Sequence, residues 1–249
     1  MKNTNHIRPR LDRPLEKSRP SLLASPRHTL TLFGIVALLV AAGAFNASRS
    51  GSVSQMPDSA DMIKNDAIMI GMLWLWVYFV FRGMQDYGQS IRQFFGCETL
   101  KPRALFRDLL FGALAFGLIY ACTSGVHALL SNRLINNPLL TSTPQGIGGA
   151  AVWLALSISA GVCEEIVFRG YLQRQLVSLT GNVGIAIVVQ AIVFGVGHAY
   201  EGITSVSAIV VHGLVLGFLA HWRGNIRAGI VEHVGWDSLA GFGLIGANW

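Results

Sequence analysis

The 249-residue chain is 52% hydrophobic and only 13% charged, with a mean hydropathy of +0.49, about half the charged share of an ordinary soluble domain. This composition excludes an ordinary soluble enzyme and points to one polytopic membrane domain without a sizeable soluble companion. The net charge of +6 gathers in particular loops and is not interleaved with aromatic residues, so it reads as a topology signal and excludes a nucleic-acid surface.

Residues 1–28 read as a basic, disordered cytoplasmic arm, with Lys2, Arg8, Arg10, Arg13, Lys17, Arg19 and Arg27 against Asp12 and Glu16, and with Pro9, Pro14, Pro20 and Pro26 interrupting any helix. Leu30 to Phe45 is apolar throughout. It is expected to be a retained first membrane helix with its amino end in the cytoplasm; the alternative is a signal peptide, since Ala42-Gly43-Ala44 resembles a cleavage site. The Ser-rich loop from Asn46 to Met62 is poor in cations and belongs outside, and Ala67 to Phe81 returns the chain. The stretch Arg82 to Arg107 is basic and belongs inside. Phe94, Phe95, Leu100 and Leu105 among its charges predict either a piece lying in the membrane interface or a plain solvated loop.

Leu109 to Leu130 crosses outward to an Asn/Pro/Thr-rich loop, Ser131 to Gln145, on the outer side. A fourth helix starts near Gly149, a fifth covers Asn182 to His198, a sixth Val206 to His221, and a seventh Ile226 to about Gly243. The fold expected is therefore an all-α, polytopic transmembrane bundle of about seven membrane helices in the cell (inner) membrane. Its parts are amino-terminal helices and loops over 29–145, a tighter bundle over 146–245, and a short tail at 246–249. Ser157/Gly161 and Gly213/Gly217, small residues at four-residue spacing, allow close helix approach in that second half.

Chemistry enters with Glu164, Glu165 and Arg169, charged side chains in an apolar run. A charge at bilayer depth costs from about 2.5 to well over 10 kcal/mol, which makes such residues functional candidates. Glu165 and Arg169 are four residues apart and share a helix face, so they can neutralise each other. Glu164 has no matched cation among its helical neighbours, Ala160, Gly161, Val167 and Phe168, and is suited to act as general base toward water. The plain alternative is that both glutamates pin helices together. With the turn between the fourth and fifth helices at Leu179 to Asn182, Glu164 and His198 lie 15 and 16 residues from it, roughly 22–24 Å along each helix. They are level on antiparallel neighbours. For such a site to open inward both helices must project past the inner surface, and Gln173, Arg174 and Gln175 suggest that they do. His233 and Asp237 share a face of the seventh helix, while His127 and His212 read as packing or hydrogen-bonding residues. The three cysteines, Cys97, Cys122 and Cys163, have no CxxC spacing; Cys163 beside Glu164 is a weaker nucleophile candidate, since small buried cysteines are common packing.

Glu164-Glu165-x-x-x-Arg169, Phe194-x-x-x-His198 and His233-x-x-x-Asp237 resemble, in order and spacing, the EExxxR, FxxxH and HxxxN/D motifs of the CPBP intramembrane proteases. That family includes type II CAAX prenyl endopeptidases and a bacteriocin processing or immunity group. The resemblance covers about residues 146–245. It implies hydrolysis of a peptide bond in a membrane-associated peptide or protein by a glutamate-activated water: Glu164 as base, His198 holding the water, His233 stabilising the oxyanion, Glu165 and Arg169 holding the site together. Asp237 stands where the family has Asn or Asp. An ionised Asp cannot donate to an oxyanion, so it is left to orient His233, to hold a proton, or to ligate a metal with Glu164, His198 and His233. The glutamate mechanism requires no cofactor; zinc or another divalent metal on those four residues is the alternative, without an HExxH motif to support it. Two other functions compete: a non-catalytic membrane scaffold or immunity-type protein, and an ion-coupled transporter, for which the internal repeat is missing.

Overall fold

The computed structural model describes residues 21–49, 59–96, 101–130 and 146–245, and among these the chain is helical without strands. The elements are α1 (Pro26–Arg49), α2 (Ser59–Gln85), a 3₁₀ turn (Ile91–Phe95), α3 (Pro102–Leu130), α4 (Gly146–Glu164), a π segment (Glu165–Leu172), α5 (Gln173–Thr180), α6 (Val183–Gly197), a second 3₁₀ turn (Ala199–Glu201), α7 (Ile203–Arg223) and α8 (Arg227–Gly241). Because α4, the π segment and α5 continue unbroken from Gly146 to Thr180, the described residues form seven helical rods. The basic arm through residue 20, the loop segments at 50–58 and 131–145, Cys97, Leu100 and the tail at 246–249 lie outside the described residues.

Four rods are long and apolar enough to cross a membrane: α2, α3, Gly146–Thr180 and α7. The protein is a polytopic membrane bundle, with residues such as Leu75, Leu114, Ile147 and Phe218 turned outward, as a lipid-facing surface requires. The seven rods match the number of helices expected, and the remaining ones differ from these four in length or polarity. α6 is apolar but has 15 residues, about 22 Å against the roughly 30 Å of a hydrocarbon core. α8 is equally short and carries Glu232, His233 and Asp237. These two rods are short or polar because they end at or carry the site.

The helices generally outrun their apolar stretches: α2 begins eight residues ahead of Ala67 and α3 seven ahead of Leu109, since backbone hydrogen bonding continues into polar flanks after hydropathy fades. The ordered chain also starts earlier than the composition suggests. Ser25 Oγ accepts from His28 N at 3.1 Å, and Pro26 opens α1, where a missing N–H costs nothing. Pro26 thus begins a helix instead of breaking one. Leu23 and Ala24 are buried and held by Gln175, whose Oε1 accepts from Leu23 N at 2.8 Å and whose Nε2 donates to Ala24 O at 2.8 Å.

That contact corrects one expectation. Gln173 and Gln175 are buried and do not mark a helix projecting into solvent; Gln173 Nε2 donates to Gly217 O on α7 at 2.9 Å. Phe94 is corrected too: it is fully buried and packs on Gly170, where a Cβ would collide with its ring. Neither an interfacial segment nor a solvated loop describes it.

In the carboxyl-terminal half α4 packs between α2 and α8, α3 lies on α7 and α8, and α6 lies on α7 and α5. Gly161 permits the α4–α8 contact, since a Cβ there would be 2.5 Å from Val234 Cγ2 and 2.9 Å from Val234 N. Gly213 does the same for α6 and α7, with Ala191 Cα at 2.9 Å. The turn from α5 to α6 is made by Gly181 at φ +70° and by Asn182, whose Oδ1 accepts from Ile185 N at 3.1 Å.

Candidate active site

The floor of the site is the π segment. Its i→i+5 bonding, seen in Gln173 N donating to Phe168 O, widens the helix where the charged residues lie; such segments recur at functional sites. Arg169 NH1 donates to Glu165 Oε1 at 2.6 Å, both side chains fully buried. The backbone of α8 comes close on the other side: a Cβ at Gly229 would lie 2.6 Å from Glu165 Oε2. Phe194 of α6 caps the cation, with Arg169 Cζ 4.4 Å from its ring centroid, a cation–π contact that gains strength away from water. Glu165 Oε2 and Arg169 Nε and NH2 have no hydrogen-bond partner among the described residues.

His233 joins the floor to the rim. Its Nδ1 is 3.4 Å from Glu165 Oε1, while its Nε2 faces Glu164 Oε2 and Asp237 Oδ2, each at 3.7 Å. The two longer distances exceed a direct hydrogen bond, so Asp237 does not orient the imidazole by bonding to it. Glu165, behind the ring, makes the hydrogen bond. Side-chain exposure separates the neighbours: Glu165 has 0%, Glu164 14% and Asp237 28%. Trp153 Nε1 donates to Asp237 O at 3.1 Å and fixes the rim of α8 against α4.

His198 closes α6. Its Nδ1 is 2.9 Å from Phe194 O, which fixes that nitrogen as the donor and leaves Nε2 as the acceptor. Phe194 is the shared wall, with ring centroids 5.1 Å from His198, 5.8 Å from His233 and 5.0 Å from Phe168. Glu165 thus meets both Arg169 and His233, Glu164 and Asp237 face His233 Nε2, and His198 reaches the group through the Phe194 ring. The zinc set considered above, Glu164, His198, His233 and Asp237, does not stand as a ligand cluster, and no three His, Cys, Asp or Glu side chains do so among the described residues. Cys163 is 1% exposed within the apolar core, turned to packing.

Two further pairs belong to this region. His212, read above as a packing or hydrogen-bonding residue, does form a hydrogen bond, with Nε2 2.8 Å from Glu232 Oε2, both buried, and its ring lies 5.5 Å from His233. Glu232 is not among the residues singled out above, although it shows the same signal as Glu164, a carboxylate next to a motif residue in an otherwise apolar helix. Tyr200 and Glu201, in the turn after α6, lie within electrostatic reach of Glu164. Burial holds the Glu201 carboxyl above its usual range, with His198 pulling the other way; burial and the Glu201 charge also push the Tyr200 hydroxyl up. An acid in a turn three residues past a motif histidine carries no special pattern in sequence.

Residues 146–239 match the family model described as type II CAAX prenyl endopeptidase Rce1-like. The match spans all six residues above and α4 through most of α8. No curated protein and no solved structure is significantly similar to the chain.

Proposed function

We propose, from the premise that residues 146–239 are an Rce1-like domain of the CAAX protease kind, that this protein is an intramembrane endopeptidase that hydrolyses a peptide bond of a membrane-associated substrate. The observation that carries the reading is the division of labour between adjacent glutamates. Glu165 is committed to Arg169 at 2.6 Å, and Glu164 faces the accessible side opposite His233 Nε2 without a direct bond. A separation of 3.7 Å suits two groups that share a reacting oxygen.

In this mechanism Glu164 takes a proton from water, and the hydroxide attacks the scissile carbonyl carbon. His198, with Nδ1 tied to Phe194 O, offers Nε2 as an acceptor to hold the water. His233, with Nδ1 directed at Glu165, supports the developing oxyanion through Nε2 in its protonated form, which Glu164, Glu165 and Asp237 around it favour. The proton on Glu164 then passes to the leaving amine as the C–N bond breaks, which returns the carboxylate. Arg169 keeps Glu165 ionised and fixed, and each step uses side chains alone. The protein resides in the cell membrane with its amino terminus in the cytoplasm, a placement supported by loop charge.

Purified full-length protein in nanodiscs, incubated with a library of membrane-associated peptides and read by mass spectrometry, should release products that the Glu164→Gln protein does not. Equal cleavage by both proteins would overturn the assignment of the base, and no cleavage by either across the library would overturn the peptidase reading.

A further inference from the structure

Behind the site, where α5 turns into α6 and α7 ends, lies a second polar chamber. It has a volume of about 380 Å³ and is lined by Arg169, Gln173 and Arg174 of the long helix, by Gln89 and Gln93 after α2, and by His221 of α7. No carboxylate lines it among the described residues. Arg169 and Gln173 are 1% and 4% exposed, yet Arg169 Nε and NH2 and Gln173 Oε1 have no hydrogen-bond partner among the described residues. Arg174 reaches the carbonyls of Gln93 and Gly224 only at 3.4 and 3.3 Å, long for a charged donor, and its guanidinium lies over Phe94 with Cζ 5.2 Å from the ring centroid.

We propose that this chamber binds a phosphate-bearing anion, supplied as the headgroup of an anionic phospholipid or as free phosphate. Glu165 neutralises Arg169 through one nitrogen and leaves the rest of the guanidinium unpaired, an arrangement that is costly in a buried setting. Planar guanidinium forks match phosphate oxygens, and two of them with a histidine and neutral amides form a wall of one sign. The volume falls in the range of small-ligand pockets. Leu23, Val177, Val183 and Ala220 also line it and suit the glycerol end of a lipid, in a place where basic pockets between membrane helices take anionic headgroups.

The chain's own amino-terminal segment is a poor occupant. Ser21 is part of the lining, and residues 1–20 carry six Lys or Arg against two acidic residues, the sign that attracts an anion and is repelled by the wall. Arg169 belongs both to this chamber and to the Glu165 pair, so an occupant supports the floor of the active site from behind. The inference does not rest on the peptidase reading, and its test measures binding and not hydrolysis.

The test uses full-length protein in neutral detergent, with thermal unfolding and native mass spectrometry as readouts. One arm titrates inorganic phosphate at constant ionic strength; the other adds phosphatidylglycerol, with phosphatidylcholine as its control. Saturable stabilisation by phosphatidylglycerol alone assigns the headgroup, and equal stabilisation by inorganic phosphate assigns the free anion; either outcome supports the chamber. Arg174→Gln should weaken binding about tenfold, the loss of one charge-assisted hydrogen bond. Gln93→Glu, at an exposed position where folding is undisturbed, should abolish binding by placing a carboxylate in the wall, while Arg92→Gln, outside the chamber, should leave it unchanged. No stabilisation in either arm, or unaltered binding by Gln93→Glu, overturns the proposal.

Discussion

Two clusters of buried charge tie the carboxyl-terminal helices together, and they are built on opposite principles. At the start of α8, Asp108 of α3 accepts from Arg223 NH2 at 3.0 Å and from Arg227 Nε at 2.6 Å, one carboxylate oxygen to each. Two cations there surround one anion, and three helices are clasped. Around His233 the ratio is reversed: Glu164, Glu165, Glu232 and Asp237 share one arginine and the histidines. The contacts of His233 stretch to 3.4 and 3.7 Å, and Glu165 Oε2 and Glu232 Oε1 have no hydrogen-bond partner among the described residues. In the clasp both carboxylate oxygens are engaged, and only Arg223 Nε lacks a partner among the described residues; around His233 it is carboxylate oxygens that stay available, as a reactive site requires.

The largest effect should follow from the rim. Glu164→Gln preserves size and hydrogen bonding but removes the basic oxygen, so cleavage of a responsive library peptide should fall by about 10²–10⁴-fold, with detergent thermal stability unchanged. Unfolding of this variant would instead place Glu164 in the structural class that Asp108 exemplifies.

Next in size is the floor, where Glu165→Gln leaves Arg169 uncompensated in a dry setting. A loss of about 3–5 kcal/mol is expected, visible as reduced yield and melting temperature together with lost activity. Combining it with Arg169→Met should restore stability relative to Glu165→Gln alone, since no unpaired charge then remains. A double variant no more stable than the single one would show that the Arg169 charge is not what destabilises it.

The clasp should yield less. Asp108→Asn removes the charge that Arg223 and Arg227 share, and their side chains are 13% and 19% exposed, so water offsets part of the loss and about 1–3 kcal/mol is expected. Thermal unfolding should shift down while the cleavage rate of the folded fraction stays within about twofold of the parent. A selective collapse of the rate would mean that α3 positions the chemistry directly.

The same contrast explains what the amino-acid sequence discloses. Local relations are legible. Glu165 and Arg169 lie within one turn and do pair, and the turn expected within Leu179 to Asn182 falls at Gly181 and Asn182 between α5 and α6. What depends on distant partners is not. The π segment reflects neighbours as well as its own residues: Phe94 fills the space over Gly170, and Arg169 lies on Phe194. His212 and Glu232 are 20 residues apart on different helices, and Gln175 finds Leu23 across 152 positions, so neither pairing has a periodic trace. The amino-terminal half carries no motif because it contributes apolar packing, as α2 does against α4, and single residues such as Phe94 and Asp108 that acquire meaning only against a partner from the other half.

The smallest effect is expected at Asp237. It is the most exposed carboxylate of the site, and its Oδ2 is 3.7 Å from His233 Nε2, too far for a hydrogen bond that the substitution would break. Asn keeps the size and adds a donor beside the position proposed for the oxyanion, which offsets the lost attraction to a protonated His233. Asp237→Asn should therefore change the cleavage rate by less than about tenfold, less than one charge-assisted hydrogen bond is worth. The parent should also keep its rate after dialysis against a chelator, because Glu164 activates water in the proposed mechanism without a metal. The two measurements interlock: if Asp237 ligates a divalent ion with His233 and Glu164, Asp237→Asn loses activity by orders of magnitude, chelation abolishes the parent's activity, and added zinc restores the parent more readily than the variant. That result would move Asp237 from a bystander charge on the rim to the centre of the chemistry, and the comparison with Asp108 would become one between a protein-held and a metal-held carboxylate.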